Sequence, residues 1–270
     1  GNGQNAQELL MNADAAMYHA KGGGKNGYSF FDASMNNNAR KQLQLLQDLR
    51  AALEHSQFSL HYQPKFDAAT GHPVGAEALL RWEHPEKGFI SPAVFVPVAE
   101  DSGQIIPLSL WVLDTACAQL RQLGEQGITG ISMAVNISPM HFQRGQFVEC
   151  IQAVLNRYEL SAGQLELEIT ENVMLNDIEG ALGTMLSLKE LGVRLNMDDF
   201  GTGYSSLGYL RTYPFDSIKI DKRFISGLNN NGGSDRAVVQ AIINLGEAMG
   251  LTVTAEGVES EHQLKALEND

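Results

Sequence analysis

With 270 residues, 43% of them hydrophobic, the chain is long enough to bury a full-sized core in one large domain. A formal net charge of −13 argues against a nucleic-acid duplex or an anionic membrane as the main partner. An anionic substrate stays compatible with that charge where cations bridge the repulsion.

Residues 1–32 read as the leftover of a preceding domain: an amphipathic helix over Ala6–Lys21 carries Leu9, Leu10, Ala16, Met17 and Ala20 on one side, Gly22 to Gly24 end it, and Tyr28–Phe31 is expected as a short strand. A second helix, about Asn38 to His55, places Leu43, Leu46, Leu49 and Leu53 at helical spacing and reads as a connector over 33–55. From residue 56 the pattern alternates. Strand-like runs fall near 59–66, 74–82, 131–138, 164–170, 193–199, 217–221 and 252–258, and helix-like runs near 108–124, 145–158, 178–191, 233–249 and 260–268. Strands alternating with helices predict an α/β fold, a TIM-like (β/α) barrel. The short turn Gly71-His72-Pro73 predicts an antiparallel first strand, and a barrel of this kind needs an eighth strand that the sequence does not supply.

Cys117 and Cys150 lie in helix-like, mostly apolar runs and read as core thiols, with a single disulfide left open. His72, His84, His141 and His262 sit at turns or helix starts and are expected at the surface. No apolar run reaches membrane-spanning length and the N-terminus has no signal-peptide pattern, so a cytoplasmic fragment is expected, its parent possibly membrane-anchored through upstream domains.

The most informative stretch is Asp198-Asp199-Phe200-Gly201-Thr202-Gly203-Tyr204-Ser205-Ser206-Leu207, directly after the strand-like Val193–Met197. Neighbouring side chains of a strand point to opposite faces, so two adjacent carboxylates converge only where the chain leaves the pleat. Gly201 and Gly203 supply the turning freedom. Two hard anionic oxygens there suit a divalent cation; the plainer reading is an exposed acidic turn.

Other polar residues interrupt apolar runs: Glu77 with Arg81 four positions on, Asn136, Glu166 and Glu168 with Glu171 following, Lys219 with Asp221 on the same face, and Glu256 with Glu259. Singly, each reads equally as a solvated strand end or a buried ion pair, such as Lys219 with one of the glutamates. As a set, Glu77, Asn136, Glu168, Asp198, Asp199 and Glu256 spread over most of the strands, and burying that many carboxylates without cations costs several kcal/mol apiece. Oxygen-only ligands point to Mg²⁺ or Mn²⁺ rather than zinc. A two-metal site performs hydrolytic phosphoryl chemistry, with Arg81 suited to a phosphate oxygen and Lys219 to the attacking water or developing charge.

Together Glu77-Ala78-Leu79 with Leu80-Arg81-Trp82, Val135-Asn136-Ile137-Ser138, Glu168-Ile169-Thr170-Glu171, the Asp198–Leu207 run, Lys219-Ile220-Asp221 and Glu256-Gly257-Val258-Glu259 resemble the EAL family of bacterial cyclic di-GMP phosphodiesterases. Tyr62-Gln63-Pro64 fits that family's early Gln-Pro pair. The resemblance implies an EAL domain over 56–270 that stops before its last strand. It implies metal-dependent opening of cyclic di-GMP to linear pGpG with two Mg²⁺ or Mn²⁺ ions. The first would be held by Glu77, Asn136, Glu168 and Asp198, the second by Asp198, Asp199 and Glu256. By the same resemblance Lys219 contacts the hydrolytic water, Gln63 and Arg81 face the dinucleotide, and Glu171 braces the loop from Asp199 to Leu207 at a homodimer interface. Ala13–Lys21 with Gly24 and Asn26 resembles the tail of a GGDEF domain. The alternative function is a cyclic di-GMP receptor or regulatory module that binds without turnover.

Overall fold

The computed structural model describes residues 30–170, 173, 178–201, 207–228 and 233–268, with positions 5, 6, 9, 10, 12, 13, 16, 17 and 28. They divide into two compact units, Gly1–Phe58 with Trp82–Gln104, and Ser59–Arg81 with Ile105–Asp270.

In the first unit, helix α1 (Ala33–Glu54) buries Leu49 and Ala52, whereas Leu43 of the expected leucine stripe is exposed. It packs beside α2 (Pro92–Asp101), which opens on Pro92, where a missing N–H costs nothing. An aromatic cluster fills the space: Trp82 lies with ring centroids 5.4 Å from Phe58 and 5.3 Å from Phe95, and its indole N–H donates to Gln57 at 3.1 Å. Asp48 of α1 accepts from Gln44 and lies 3.3 Å from His84 Nε2 and 2.5 Å from Lys87 Nζ. His84, expected at the surface, is thus half-buried against a carboxylate. Upstream, the described positions of Ala6–Lys21 are helical, but of the expected face Leu9, Leu10 and Met17 are exposed and Ala16 is buried, while Ala20 lies outside the described residues. Tyr28, Phe30 and Phe31 stand in no strand.

The sheet follows the order β1-β2-β4-β5-β6-β7-β8, with β3 off that path. Its strands are β1 (Phe58–Phe66), β2 (Pro73–His84), β3 (Gly88–Ile90), β4 (Ser132–Asn136), β5 (Leu165–Thr170), β6 (Arg194–Phe200), β7 (Ser217–Ile220) and β8 (Thr252–Ala255). From β2 through β8 the path is parallel. β1 neighbours β2 across the tight connection Asp67–His72, closed by the Asp67 N–H on His72 O at 2.9 Å, so the chain reverses there as expected. β3, three residues paired antiparallel to the end of β2, was not legible as a strand. Among the described residues β1 and β8 are the two ends of the order of this curled sheet.

Helices α3 (Ile105–Glu125), α5 (Phe147–Arg157), α6 (Ile178–Leu191) and α9 (Gly233–Met249) fall where the periodicity placed them. The ten-residue α2 and the short α4 (Pro139–Phe142), α7 (Leu207–Thr212) and α8 (Lys222–Gly227) were not foreseen, and α10 (Glu261–Glu268) closes the described chain. The core is built on alternation: Met133 and Val135, Leu165, Leu167 and Ile169, Leu195 and Met197, and Ile218 and Ile220 are all buried with Leu113, Cys117, Ile151, Met185 and Ile242 of the helices. Cys117 is a buried free thiol, pushed up to about 12 by burial, and Cys150 is free and half-buried. His141 is a correction: only 2% exposed, it lies edge-on to Phe147 at 4.8 Å, and burial pushes it down to about 4.

Candidate active site

The alternation that sends apolar residues to the helices sends the intervening ones to the opposite sheet face. On that face stand Glu77 of β2, Asn136 of β4, Glu168 of β5, Asp198 of β6 and Lys219 of β7. Lys219, 2% exposed, is their centre. Its ammonium lies 2.6 Å from Glu256, 2.7 Å from Glu168, 3.1 Å from Asp198 and 3.2 Å from Glu77. Sequence offered Lys219 one glutamate; the structure gives it four carboxylates.

The bulge that joins Asp198 to Asp199 explains why both reach this face. Met197 pairs with Ile218 but Phe200 with Ile220, so two residues of β6 stand opposite the single Lys219. Asp199 takes a left-handed φ of 54°, a conformation aspartate tolerates better than most residues, and its N–H donates to Asp198 Oδ1 at 3.0 Å. The strand therefore continues through Phe200 rather than ending before Asp198, and a bulge does what a strand end was expected to do. Gly201 follows at φ 91°, as anticipated.

The charges are not balanced. Burial first, then Glu77 and Asp198, pushes Glu168 up to about 8, against the pull of Lys219. Asp199 rises to about 6 through burial and the neighbouring Asp198, Asp221 and Glu256. Glu256 is raised by burial, with Lys219 opposing. Glu77 ends below the usual range: burial acts to raise it, and Lys219 and the Asn136 amide, which donates to it at 2.8 Å, outweigh that. Lys219 is held far above an ordinary lysine, burial notwithstanding, by the surrounding carboxylates. Asp221, buried at the start of α8, accepts from the Arg223 N–H at 2.7 Å and lies against Asp199. Among the described residues Glu168 Oε1 is a buried oxygen with no hydrogen-bond partner. An orphaned carboxylate oxygen in an excess of acid, with an all-oxygen donor set, fits a hard divalent cation. Also among the described residues, no three Asp, Glu, His or Cys side chains already stand at ligating spacing, because the ammonium holds the centre.

Arg81 follows Glu77 on the same face of β2, half-buried, its guanidinium donating to Leu80 O at 2.9 Å; Gln63 is exposed on β1. Glu171 and residues 202–206 lie outside the described residues. Glu166, named beside Glu168 in the sequence but left outside the ligand set, sits on the same face two residues back and pairs with Lys65.

A family model described as "EAL domain" matches residues 46–269. This chain belongs to the EAL domain family. The chain is similar to the bifunctional diguanylate cyclase/cyclic di-GMP phosphodiesterase MucR of Pseudomonas aeruginosa, 48% identical over 267 residues, covering 99% of this chain and 39% of MucR. It is 40% identical over 265 residues to the cyclic di-GMP phosphodiesterase NbdA of the same organism, covering 98% of this chain and 34% of NbdA. The chain thus spans well under half the length of either relative. A solved structure of the MucR phosphodiesterase in complex with c-di-GMP superposes with a TM-score of 0.80 at 44% identity, over 84% of this chain and 91% of that one. Among the described residues no helix is long and apolar enough to cross a membrane.

Proposed function

We propose that this EAL domain hydrolyses cyclic di-GMP to linear pGpG with two divalent cations, Mg²⁺ or Mn²⁺. The observation that carries the reading is the unbalanced cluster itself: one ammonium among four carboxylates, with a buried Glu168 oxygen left unpaired. Membership of the family and the names of MucR and NbdA support the substrate.

In this reading Glu77, Asn136, Glu168 and Asp198 hold one cation, and Asp198, Asp199 and Glu256 the other. When bound, the cations would make a water acidic enough to lose its proton and so become a nucleophile for phosphorus, and would offset charge on the attacking and leaving oxygens. Lys219 keeps the carboxylates gathered and donates to the attacking water. Arg81 offers its planar fork to a non-bridging phosphate oxygen, and Gln63 faces the dinucleotide. Glu171 braces the Asp199–Leu207 segment, through which two copies form a homodimer. Residues 1–32 are the end of a GGDEF domain and 33–55 a connector; the MucR alignment, which takes in 99% of the chain, supports that extension.

The alternative reading is a receptor that binds cyclic di-GMP without cutting it. Turnover with Mg²⁺, with Mn²⁺ and with EDTA, on wild type and Glu77→Ala, decides between them. Metal-dependent pGpG that Glu77→Ala abolishes supports hydrolysis. Binding without product in every condition establishes the receptor.

A further inference from the structure

Beneath the Lys219 cluster, one step back along the strands on the same face, lies a second polar group that the proposed chemistry does not use. Glu166 of β5 is 8% exposed. Its Oε1 accepts from Ser132 Oγ of β4 at 2.5 Å and lies 3.6 Å from Arg194 Nη1 of β6. Its Oε2 accepts from Asn196 Nδ2 of β6 at 2.9 Å and from the ammonium of Lys65, which comes from β1.

The Lys65 contact is the unusual one. In the sheet order β1 and β5 are three steps apart, with β2 and β4 between them. At about 4.8 Å per step, strands so related lie about 14 Å apart in a flat sheet, and side chains stand roughly perpendicular to it. Lys65 and Glu166 meet because the sheet curls, and their bond spans the chord of that curl. Gly75 of β2 opens the path: a Cβ there would come within 2.6 Å of Ser132 Oγ, 2.8 Å of Ser132 O and 3.4 Å of Lys65 Cε. The bond links β1 directly to β5, past the two strands that lie between them in the order. Gln63 stands two residues from Lys65 on the same face of β1, and Glu168 two residues from Glu166 on β5.

We propose that Lys65 and Glu166 are positioning residues: their chord-spanning bond fixes the curl of the sheet and so holds Gln63 on β1 at the right distance from the Glu168–Lys219 cluster. The claim rests on the phosphodiesterase reading of that cluster.

The experiment compares the whole chain with Lys65→Met, Lys65→Arg and the double variant Lys65→Met/Glu166→Gln. Lys65→Met alone leaves a buried carboxylate short of its partner and lowers the unfolding midpoint, and the double variant removes both charges and recovers it. With cyclic di-GMP as substrate, Lys65→Met raises KM about fivefold with kcat within twofold, and the double variant keeps that raised KM. Lys65→Arg, which retains the bond, stays near wild type. A KM that recovers together with the midpoint overturns the proposal, because the defect was then only an unpaired charge. Amide hydrogen exchange of residues 59–63 without substrate separates the two claims. Exchange at least fivefold faster in the double variant supports the brace whether or not the chain turns over substrate, and unchanged exchange overturns it. A wild-type chain without turnover overturns the phosphodiesterase reading alone.

Discussion

Replacing Lys219 with methionine keeps its length and apolar stem and deletes one charge from the middle of four carboxylates. The four contacts run from 2.6 to 3.2 Å around a side chain 2% exposed, so the charge has little water to replace it. Taking one partner from a buried ion cluster costs about 3–5 kcal/mol. For a domain of this size each kcal/mol moves the unfolding midpoint by about 2–4 °C, giving a drop of about 6–20 °C. Glu168, pushed up to about 8, already holds its proton for most of the time near pH 7, so fewer than four negative charges lose their partner and the drop falls in the lower half of that range. Thermal unfolding by circular dichroism, in EDTA and in Mn²⁺, is the assay. A cation at about 100 times its dissociation constant returns about 2.7 kcal/mol. The variant gains more from Mn²⁺ than wild type does, because no ammonium competes with the cation for the same oxygens. Turnover of cyclic di-GMP falls about 10²–10³-fold, the scale of losing one donor aimed at reacting atoms. A midpoint lowered equally in EDTA and Mn²⁺, or by less than about 2 °C, refutes the view that ammonium and cation share these carboxylates.

Two further substitutions test the burial argument from other directions. Glu168, with a folded value of about 8 against roughly 4.3 unfolded, binds its proton more tightly when folded. Its contribution is complete below the unfolded value and lost as pH rises through about 8, so in EDTA the wild-type midpoint falls across pH 5–8 and Glu168→Gln flattens that slope; parallel slopes would sink the reasoning. Gly75→Ala drives a methyl into Ser132 and costs about 1–3 kcal/mol by denaturant unfolding, whereas Gly183→Ala on α6, with nothing within 4 Å of the added Cβ, stabilises by about 0.5–1 kcal/mol. Equal effects at the two glycines would show that packing around Gly75 is looser than its distances say.

The strand-and-helix order was legible because each long element repeats its period several times. β3, with three residues, and α4, with four, are too short for any period to register. His141 was misplaced for the same reason: Pro139-Met140-His141 reads as an exposed helix start, yet the one-turn helix buries its last two side chains, and Phe147 covers the imidazole. The bulge was hidden because an extra residue in a strand leaves no compositional mark beyond the Asp-Asp pair itself. Parity along a strand put Glu166 and Glu168 on one face, but depth along that face depends on how neighbouring strands are staggered. That stagger is a property of the pairing, with Ala134 beside Glu166 and Asn136 beside Glu168, not of either strand alone.

That difference in depth separates framework from chemistry. Both glutamates are buried and both meet a lysine, so neither burial nor pairing distinguishes them. Glu166 has each oxygen engaged by a hydroxyl or an amide, with Lys65 and Arg194 as counter-charges, and its carboxyl stays below the usual range, burial being outweighed first by Lys65. Glu168 shares one ammonium with three other carboxylates, keeps an unpaired oxygen and is pushed the opposite way. A buried polar group that is fully matched stabilises one arrangement and gains nothing from a further ligand. One left short of positive charge gains from any cation that reaches it, so on this sheet the upper layer is where added metal should act and the lower layer where it should not.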